Sequence, residues 1–337
     1  MRIGKLSNEE LEQLVIRKIQ YQHPDVLIHS GVGEDCSVID YGDEVCVVSS
    51  DPITGASHQI GKLAIDVACN DIASTGAEAL GVMMVMLAPP STTKEELAQV
   101  MREATDEAAR LKIEILGGHT EVTDAVNRMV LVMTVIGKER KSQFESNSQP
   151  VSTGDWVVIS KEIGLEGTAI LAHDREEWVA GKIDTAALVL AKAQMDRLSV
   201  LEEGRIGAKT GFKYMHDITE GGVLGACWEA SHATGRGVKI EREAIPILSV
   251  TQEIAALFKI DPYSLISSGS MLAIVTPAQG EKWIAEGERR GLRVTKIGQV
   301  QGEQPTLVEV DGSVCVIASP EADALYTALA RQKEEIK

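Results

Sequence analysis

The chain has 337 residues, a formal net charge of −17, 44% hydrophobic residues and only 4% aromatic residues. Its length suggests about two domains. The acidic balance argues against a sequence-independent nucleic-acid grip and against a polybasic membrane footprint, since both depend on clustered lysine and arginine. An anionic ligand would need metal ions and backbone N–H groups to offset the repulsion, so a metal partner is plausible from the outset.

The five cysteines are odd in number and scattered, with no CxxC pair and no Cys/His ligand spacing. A disulfide framework and a zinc-ligand motif are therefore not predicted. The first residues, MRIGKLSNEELEQ, lack the apolar stretch of a signal peptide, and no run of about 18 apolar residues occurs. We expect a cytoplasmic protein without a membrane span.

Helical and strand patterns alternate over the first 138 residues. Two capping boxes, Ser7 with Glu10 and Thr93 with Glu96, predict helix starts, and helical periodicity runs over 60–75. Buried strands are predicted at 45–50, 80–87, 113–116 and 129–136, and a Gly117-Gly118 turn is predicted after the third of them. The alternation predicts an α/β or α+β domain over 1–138.

A polar, turn-rich segment at 139–150 (ERKSQFESNSQP) is the best linker candidate. A second domain is predicted over 151–337. Its helical stripes lie at 188–198 and 223–230, and its strands at 156–160, 238–240, 271–276, 293–300 and 314–318.

Three acidic positions of the first domain could carry chemistry. Asp35 closes GVGED (31–35), where glycines allow close approach to a phosphate and acids suit a hard cation; a plain acidic turn is the alternative. Asp51 ends an apolar strand, or simply begins a turn before Pro52. Asp71 falls on the inward stripe of the 60–75 helix, where a carboxylate is costly unless it is paired or binds metal. A buried ion pair is the alternative there, and Asn70 beside it could face the same cleft.

Two glycine-rich loops are the other candidates. Gly117-Gly118-His119-Thr120-Glu121 follows a buried strand and could contact phosphate or metal, or it could be a turn with a surface histidine. His216-Asp217-Ile218-Thr219-Glu220-Gly221-Gly222 opens a helix, where it could bind an anion or merely supply a cap from Asp217 or Thr219. The chain has no GxxxxGK[ST] and no GxGxxG that opens a helix, so neither a P-loop nor a dinucleotide fold is predicted.

In this order, the motifs resemble the superfamily of aminoimidazole ribonucleotide (AIR) synthetase, thiamine-monophosphate kinase, selenophosphate synthetase and HypE-type hydrogenase maturation factors. The matching segments are GVGED (31–35), SSDPIT (49–54), IGKLAIDVACNDIASTGA (60–77), GGHTEV (117–122), HDITEGG (216–222), SSGSMLAIV (267–275) and KIGQV (296–300). The resemblance spans essentially the whole chain.

The resemblance implies a two-domain α/β (α+β) fold. A ferredoxin-like or half-barrel N-terminal domain would bind ATP and Mg²⁺ and form a homodimer, and a C-terminal α/β sandwich would cover the nucleotide. The implied magnesium residues are Asp35, Asp51 and Asp71. The implied ATP and phosphate residues are Gly33, Lys62, Asn70, Gly118, His119, Thr120, Glu121, Asp217 and Glu220. An exposed helix lysine remains the alternative for Lys62.

Among these relatives, the second-domain motifs look closest to the HypE type, which implies possible hydrogenase maturation proteins as partners. HypE-type factors carry a cysteine at the extreme C-terminus that is carbamoylated and dehydrated, whereas this chain ends ALARQKEEIK. Its last cysteine, Cys315, lies in an apolar strand and is predicted to be a core residue. Three hypotheses stay open: an ATP-dependent enzyme with an unidentified acceptor, an ATP-binding assembly partner without turnover, and a small-molecule kinase.

Overall fold

The computed structural model describes residues 6–53, 58–147, 149–320 and 323–335. The elements of the first half are α1 Asn8–Leu14, β1 Val26–Ile28, β2 Ser37–Asp40, β3 Glu44–Ile53, α2 Ile60–Ser74, β4 Glu78–Ala88, α3 Lys94–Leu111, β5 Glu114–Val122, β6 Val130–Arg140 and α4 Lys141–Asn147. Those of the second half are β7 Trp156–Ser160, α5 Leu165–Asp174, α6 Glu176–Val179, α7 Thr185–Ala193, α8 Leu201–Thr210, β8 Tyr214–Asp217, α9 Gly222–Thr234, β9 Val238–Glu241, α10 Ser249–Phe258, β10 Met271–Val275, α11 Pro277–Arg289, β11 Val294–Val300, β12 Thr306–Val308, β13 Val314–Val316 and α12 Ala324–Glu335. The mixture of helices and strands confirms the predicted α/β class.

The first sheet has six strands in the order β1-β2-β3-β6-β4-β5. Only β4 and β5 pair in parallel, and α3 forms the crossover between them. Along β6, alternate residues Leu131, Met133 and Val135 are fully buried, as expected for a sheet with one covered face. Helix α2 packs on that face against β3, β6 and β4, and it also packs against α3.

The second sheet has seven strands in the order β13-β12-β9-β11-β7-β10-β8. Every residue of β10 is buried, because this strand lies between β7 and β8 and has protein on both faces. A hydrophobic core continues from the first sheet into the second and includes Ile65 and Ile72 of α2 together with Val158 and Ala273. Helix α2 therefore lies between the two halves of the molecule.

The junction between the halves is close-packed. At Gly204 of α8, an added Cβ would lie 2.7 Å from the carbonyl oxygen of Ala73 on α2. Only glycine allows the two helices to approach this closely. Positions on α2 are therefore fixed with respect to the second sheet.

Most predicted elements of the first half are confirmed. Both capping boxes form, at Ser7 with Glu10 and at Thr93 with Glu96. The predicted 60–75 helix is α2, which ends at Ser74. Helix α4 occupies most of the segment 139–150 that was predicted as a linker. The boundaries of the linker and of the two domains stay a prediction. Thr54 of SSDPIT and Ser148 of the linker lie outside the described residues.

The predicted turn at Gly117-Gly118 is wrong, because both glycines lie inside strand β5. Their φ angles are +151° and +148°, which is a glycine conformation. An added Cβ on Gly118 would lie 1.7 Å from the carbonyl oxygen of Met84. The glycines therefore let β5 pair closely with β4 rather than end it.

The core position predicted for Cys315 is also wrong. Cys315 is exposed on β13, an edge strand of the second sheet, so an apolar composition there does not imply burial. None of the helices in the described part of the chain combines the length and apolar composition that crossing a bilayer requires.

Candidate functional site

Helix α2 carries Asp71 into the interior, as the apolar stripe predicted. Asp71 is only 4% exposed and accepts a 2.5 Å hydrogen bond from Ser49 Oγ on β3. Burial raises the pKa of Asp71 well above its usual range, and the negative charges of Asp217, Asp51 and Asp35 raise it further. The buried ion pair that was the alternative for Asp71 is therefore not formed, because the charged groups that shift its pKa are all aspartates.

Asp51 and Asp35 reach the same place from β3 and from the loop before β2. Asp51 follows Ser49 by two residues on β3, so both side chains lie on the face covered by α2. Asp35 belongs to the loop that contains Gly33, which has φ +81°. Cys36, the residue after Asp35, is buried. Burial raises the pKa of its thiol, and the negative charges of Asp71, Asp35, Asp217 and Asp51 raise it further.

Asp217 joins them from the second sheet, at the end of β8. It is 1% exposed, and its Oδ1 accepts a hydrogen bond from Ser74 Oγ at 3.2 Å. Its Oδ2 is buried without a hydrogen-bond partner among the described residues. Burial raises the pKa of Asp217 to about 6; His216 opposes this rise and Asp35 adds to it. We call Asp35, Asp51, Asp71 and Asp217 the acid cluster.

His216 lies at one end of the acid cluster. Its Nδ1 is 3.3 Å from Asp35 Oδ2, and its Nε2 is 2.9 Å from Glu229 Oε2 on α9. Burial would lower the pKa of His216, but Tyr214, Asp35 and Glu229 together raise it well above its usual range. The sequence predicted no role for His216 beyond its place in the HDITEGG motif. Neighbouring residues of a strand normally point to opposite faces of the sheet, so the alternation of a strand gives no signal that His216 and Asp217 lie at one site.

Lys62 lies on α2 but away from the acid cluster. Its Nζ donates to Asp66 Oδ2 at 2.6 Å and to the carbonyl oxygen of Met195 at 2.8 Å. Nine residues along a helix separate it from Asp71, about 13 Å of rise. The sequence left two alternatives for Lys62, a phosphate contact and an exposed helix lysine. Neither describes it fully, because Lys62 is largely buried within an ion-pair network.

Asn70 faces the second half of the molecule. Its Nδ2 donates to the carbonyl oxygen of Leu198 at 2.8 Å, and its Oδ1 accepts from the Val200 amide at 2.8 Å. With both ends of the amide engaged, Asn70 fixes α2 to the 198–200 loop.

The GGHTE segment does not contact the acid cluster within the chain. Asp51 is paired across the sheet with Met133, Met133 with Met84, and Met84 with Gly118. Three strand spacings place Gly118 about 14 Å from Asp51. His119, Thr120 and Glu121 are exposed, and His119 Nε2 lies 3.2 Å from Glu121 Oε2.

The loop after Asp217 is anchored by the C-terminal helix. Glu220 Oε1 accepts a hydrogen bond from Tyr326 at 3.1 Å, and the Gly221 amide donates to Asp323 Oδ2 at 2.7 Å. Helix α9 begins after Gly221 without a side-chain cap. A capping role for Asp217 or Thr219 is therefore wrong, which leaves Asp217 available to the acid cluster.

Two protein-family models match the chain in sequence order. The N-terminal domain model of AIR synthase related protein matches residues 33–138, and the C-terminal domain model matches residues 152–311. Together they match more than half of the chain. The chain belongs to the AIR synthase-related family. The resemblance inferred from the motifs is thereby confirmed, and in this family member the acid cluster joins the two matched regions.

Relatives of this family member include a protein of Methanocaldococcus jannaschii named as a hydrogenase expression/formation protein. It is 25% identical over 289 residues, which cover 83% of this chain and 82% of the relative. A selenide, water dikinase of Carboxydothermus hydrogenoformans is 23% identical over 341 residues, covering 90% and 94%. The carbamoyl dehydratase HypE of Escherichia coli is 23% identical over 237 residues, covering 70% and 68%.

Solved structures confirm the two-domain fold of the family. HypE in complex with ATP superposes with a TM-score of 0.68 at 19% identity, covering 96% of this chain and 97% of that one. ThiL complexed with AMPPCP and TMP gives 0.71 at 16% identity, covering 95% and 99%. The HypE–HypF complex gives 0.69 at 20% identity, covering 84% and 93%. At these identities the likeness shows the fold alone.

Proposed function

We propose that this protein binds ATP with Mg²⁺ at the acid cluster and uses the ATP to activate an acceptor by phosphorylation. The observation that carries the proposal is the convergence of four aspartates from both halves of the molecule. Two of them, Asp71 and Asp217, are almost completely buried. Buried carboxylates of like charge are costly unless a cation or protons neutralise them.

The donor set suits a hard cation. Carboxylate oxygens are ligands that Mg²⁺ prefers, and the ion commonly completes its shell with water and substrate phosphates. Asp35, Asp51 and Asp71 would hold the metal, with Gly33 and Asp217 next to the phosphates. In a chain of net charge −17, the metal also removes the repulsion that ATP would otherwise meet.

The proposed reaction is phosphoryl transfer. An acceptor oxygen attacks the γ-phosphorus, the bond to the β–γ bridging oxygen breaks, and ADP leaves. The bond between the acceptor and its phosphorylated oxygen then breaks, and that oxygen leaves as part of inorganic phosphate. Catalysis of such a transfer depends mainly on positioning and charge neutralisation, which the metal and the carboxylates would supply.

Relatives suggest which acceptors to test first. The names of the M. jannaschii protein and of HypE support a role in hydrogenase or metallocofactor maturation, with a carbonyl-type oxygen as acceptor. The likeness to ThiL with AMPPCP and TMP keeps a small-molecule kinase as the alternative. An assembly partner that binds ATP without turnover is the third possibility, and ADP release measured with and without candidate acceptors separates it from the other two.

We further propose a homodimer formed through the first domain. Strand β5 is a nine-residue sheet edge exposed along nearly its whole length, with apolar Leu116 and Val122 about half exposed. An exposed strand of this kind favours pairing with another chain. A second copy would cover this edge, and it could bring a second GGHTE segment toward the acid cluster. Sedimentation of the purified protein tests the stoichiometry.

Calorimetric titration with ATP, with and without Mg²⁺, tests the nucleotide site. We expect magnesium-dependent binding that Asp71→Asn weakens at least about 100-fold, since one metal ligand is replaced. Asp66→Asn is the matched control, because Asp66 is also a buried acid of α2 but pairs with Lys62. Its ATP affinity should stay within about twofold of wild type. Equal affinity of wild type and Asp71→Asn would refute the metal assignment.

A further inference from the structure

A cavity of about 420 Å³ lies between the two halves of the molecule. Its wall combines the end of α3 with residues 196–199, the start of α8 and residues 291–293 before β11. Arg110, in this wall, lies 3.8 Å from Asp66 on α2. Five residues separate Asp66 from Asp71, so the two side chains point about 140° apart around the helix. The cavity is therefore on a different side of α2 from the acid cluster.

The wall of this cavity reverses the charge balance of the chain. The whole sequence has 33 lysines and arginines against 50 aspartates and glutamates, whereas the wall has six basic residues and three acidic ones. The basic residues are Arg110, Lys112, Lys161, Arg197, Arg205 and Arg293, and we call the space that they line the basic cavity. An excess of three positive charges at one recess favours an anionic ligand.

Two of the arginines are held in place and still have donors to spare. Arg197 donates to Glu162 at 2.7 Å and to Gln194 at 2.9 Å. Arg205 pairs with Glu202 through a single nitrogen. A guanidinium has five N–H donors, so each of these arginines keeps at least two for a ligand. Side chains that are already ordered bind an anion at a lower cost in entropy.

Lys112 and Arg293 are exposed cations at the wall that no carboxylate neutralises. Neither side chain forms an ion pair or a hydrogen bond with any residue that the structure describes. Lys161 is different, because its Nζ donates to the carbonyl oxygens of Ser199 and Gly269, both at 2.8 Å. Lys161 therefore holds the wall together, whereas Lys112 and Arg293 leave positive charge for a ligand.

We propose that the basic cavity binds the phosphate or diphosphate group of a small molecule without a metal ion. Its volume is within the range of about 300–1,000 Å³ that is usual for small-molecule pockets. A phosphate group carries about −1.5 to −2 charges at neutral pH, which suits the positive excess better than a single carboxylate. Guanidinium groups also match the geometry of phosphate oxygens, and Arg197, Arg205 and Arg293 would bind them. This site goes beyond the proposed function, because it is separate from the acid cluster.

The competing interpretation is a purely structural role, in which the arginines only join α3, α8 and the 291–293 loop to their neighbours. The two interpretations differ at Arg293. Because this side chain has no ion pair among the described residues, a structural network gains nothing from its charge. A phosphate site requires that charge.

The experiment is a calorimetric titration of the full chain with inorganic pyrophosphate, with EDTA and without Mg²⁺, so that the acid cluster repels the probe. We expect one pyrophosphate per chain. Arg293→Gln and Arg205→Gln should each weaken binding about tenfold, because each removes a charge-assisted contact. Arg236→Gln is the matched control and should change the affinity less than twofold, as Arg236 is also exposed and without an ion pair among the described residues but lies outside the cavity. Malonate, a dicarboxylate of similar size, should bind at least about tenfold more weakly than pyrophosphate.

Unchanged affinity in Arg293→Gln and Arg205→Gln, or an equal loss in Arg236→Gln, would overturn the site. Equal binding of malonate would overturn the preference for phosphate. Thermal unfolding checks each variant, and Arg293→Gln decides the matter if Arg205→Gln does not fold.

This inference and the proposed function fail separately. Asp71→Asn should keep its pyrophosphate affinity within about twofold of wild type while it loses magnesium-dependent ATP binding. Arginine-dependent pyrophosphate binding in a wild-type protein that does not bind ATP would refute only the proposed function. Magnesium-dependent ATP binding without saturable pyrophosphate binding would refute only this inference.

Discussion

Asp217 and Ser74 exchange hydrogen bonds across the junction between the two halves of the molecule. The Asp217 amide donates to Ser74 Oγ at 3.0 Å, and Ser74 Oγ lies 3.2 Å from Asp217 Oδ1. Ser74 is the last residue of α2 and Asp217 the last of β8. Because Asp71 lies one turn earlier on α2, this pair sets the distance between the two most buried carboxylates of the acid cluster.

Ser74→Ala should loosen this junction. The substitution leaves the Asp217 amide without its acceptor in a partly buried place, so we expect a loss of about 1–3 kcal/mol in the free energy of unfolding. Magnesium-dependent ATP affinity should fall as well, because Asp217 is no longer fixed to α2. Urea denaturation and calorimetry measure the two effects.

Ser50→Ala is the control for that substitution. Ser50 Oγ also bonds a side chain, Thr134 Oγ1 at 2.9 Å, but at an exposed position of the sheet. Its loss should stay within about 0.5 kcal/mol. Equal losses in both variants, with unchanged ATP affinity, would show that the Ser74 contact does not organise the site.

A pH dependence of stability is expected from Glu166 in the first turn of α5. Burial raises its pKa to about 7, Ser268 opposes the rise by hydrogen bonding, and Asp323 and Glu220 add to it. The ordinary value of 4.5 applies in the unfolded chain. Above pH 7, the ionised group therefore destabilises the fold, and this penalty disappears as the pH falls from 7 toward 4.5.

Glu166→Gln should consequently be more stable than wild type at pH 8, by at most about 3 kcal/mol. The difference should vanish near pH 4.5. Glu96→Gln is the control of opposite sign, because hydrogen bonds from Thr93 lower the pKa of Glu96. That variant should not exceed wild type at pH 8. A Glu166→Gln advantage that is constant between pH 5 and 8 would contradict the assignment.

The local pattern was sufficient to predict that Asp71 faces the interior, because a carboxylate on the apolar stripe of a helix is recognisable from spacing alone. Asp35, Asp51 and Asp217 followed from the order of motifs, and the structure brings them together. His216 and Glu229 could not be paired from the sequence: they are 13 residues apart, on β8 and α9, and meet only when the helix packs on the sheet. The reason for a glycine at position 118 could not be predicted from the sequence either. It is the close approach of β5 to the Met84 backbone, not a local turn.

Variants of Lys62 can show whether this lysine stabilises the fold or binds phosphate. The resemblance predicts a phosphate contact, whereas the structure places Lys62 between Asp66 at 2.6 Å and the carbonyl of Met195 at 2.8 Å. Lys62→Met would remove the nearer of two cations from buried Asp66 and leave Arg110, 3.8 Å away. We expect this to destabilise the fold by about 3–5 kcal/mol. The double variant Lys62→Met/Asp66→Asn should recover part of that loss, because the buried carboxylate is then replaced by a neutral amide.

ATP affinity, measured by calorimetry at a temperature where both variants are folded, should stay within about twofold of wild type. Weakened ATP binding in the folded double variant, beyond that of Asp66→Asn alone, would instead assign Lys62 to the phosphates and require the side chain to leave its network when nucleotide binds.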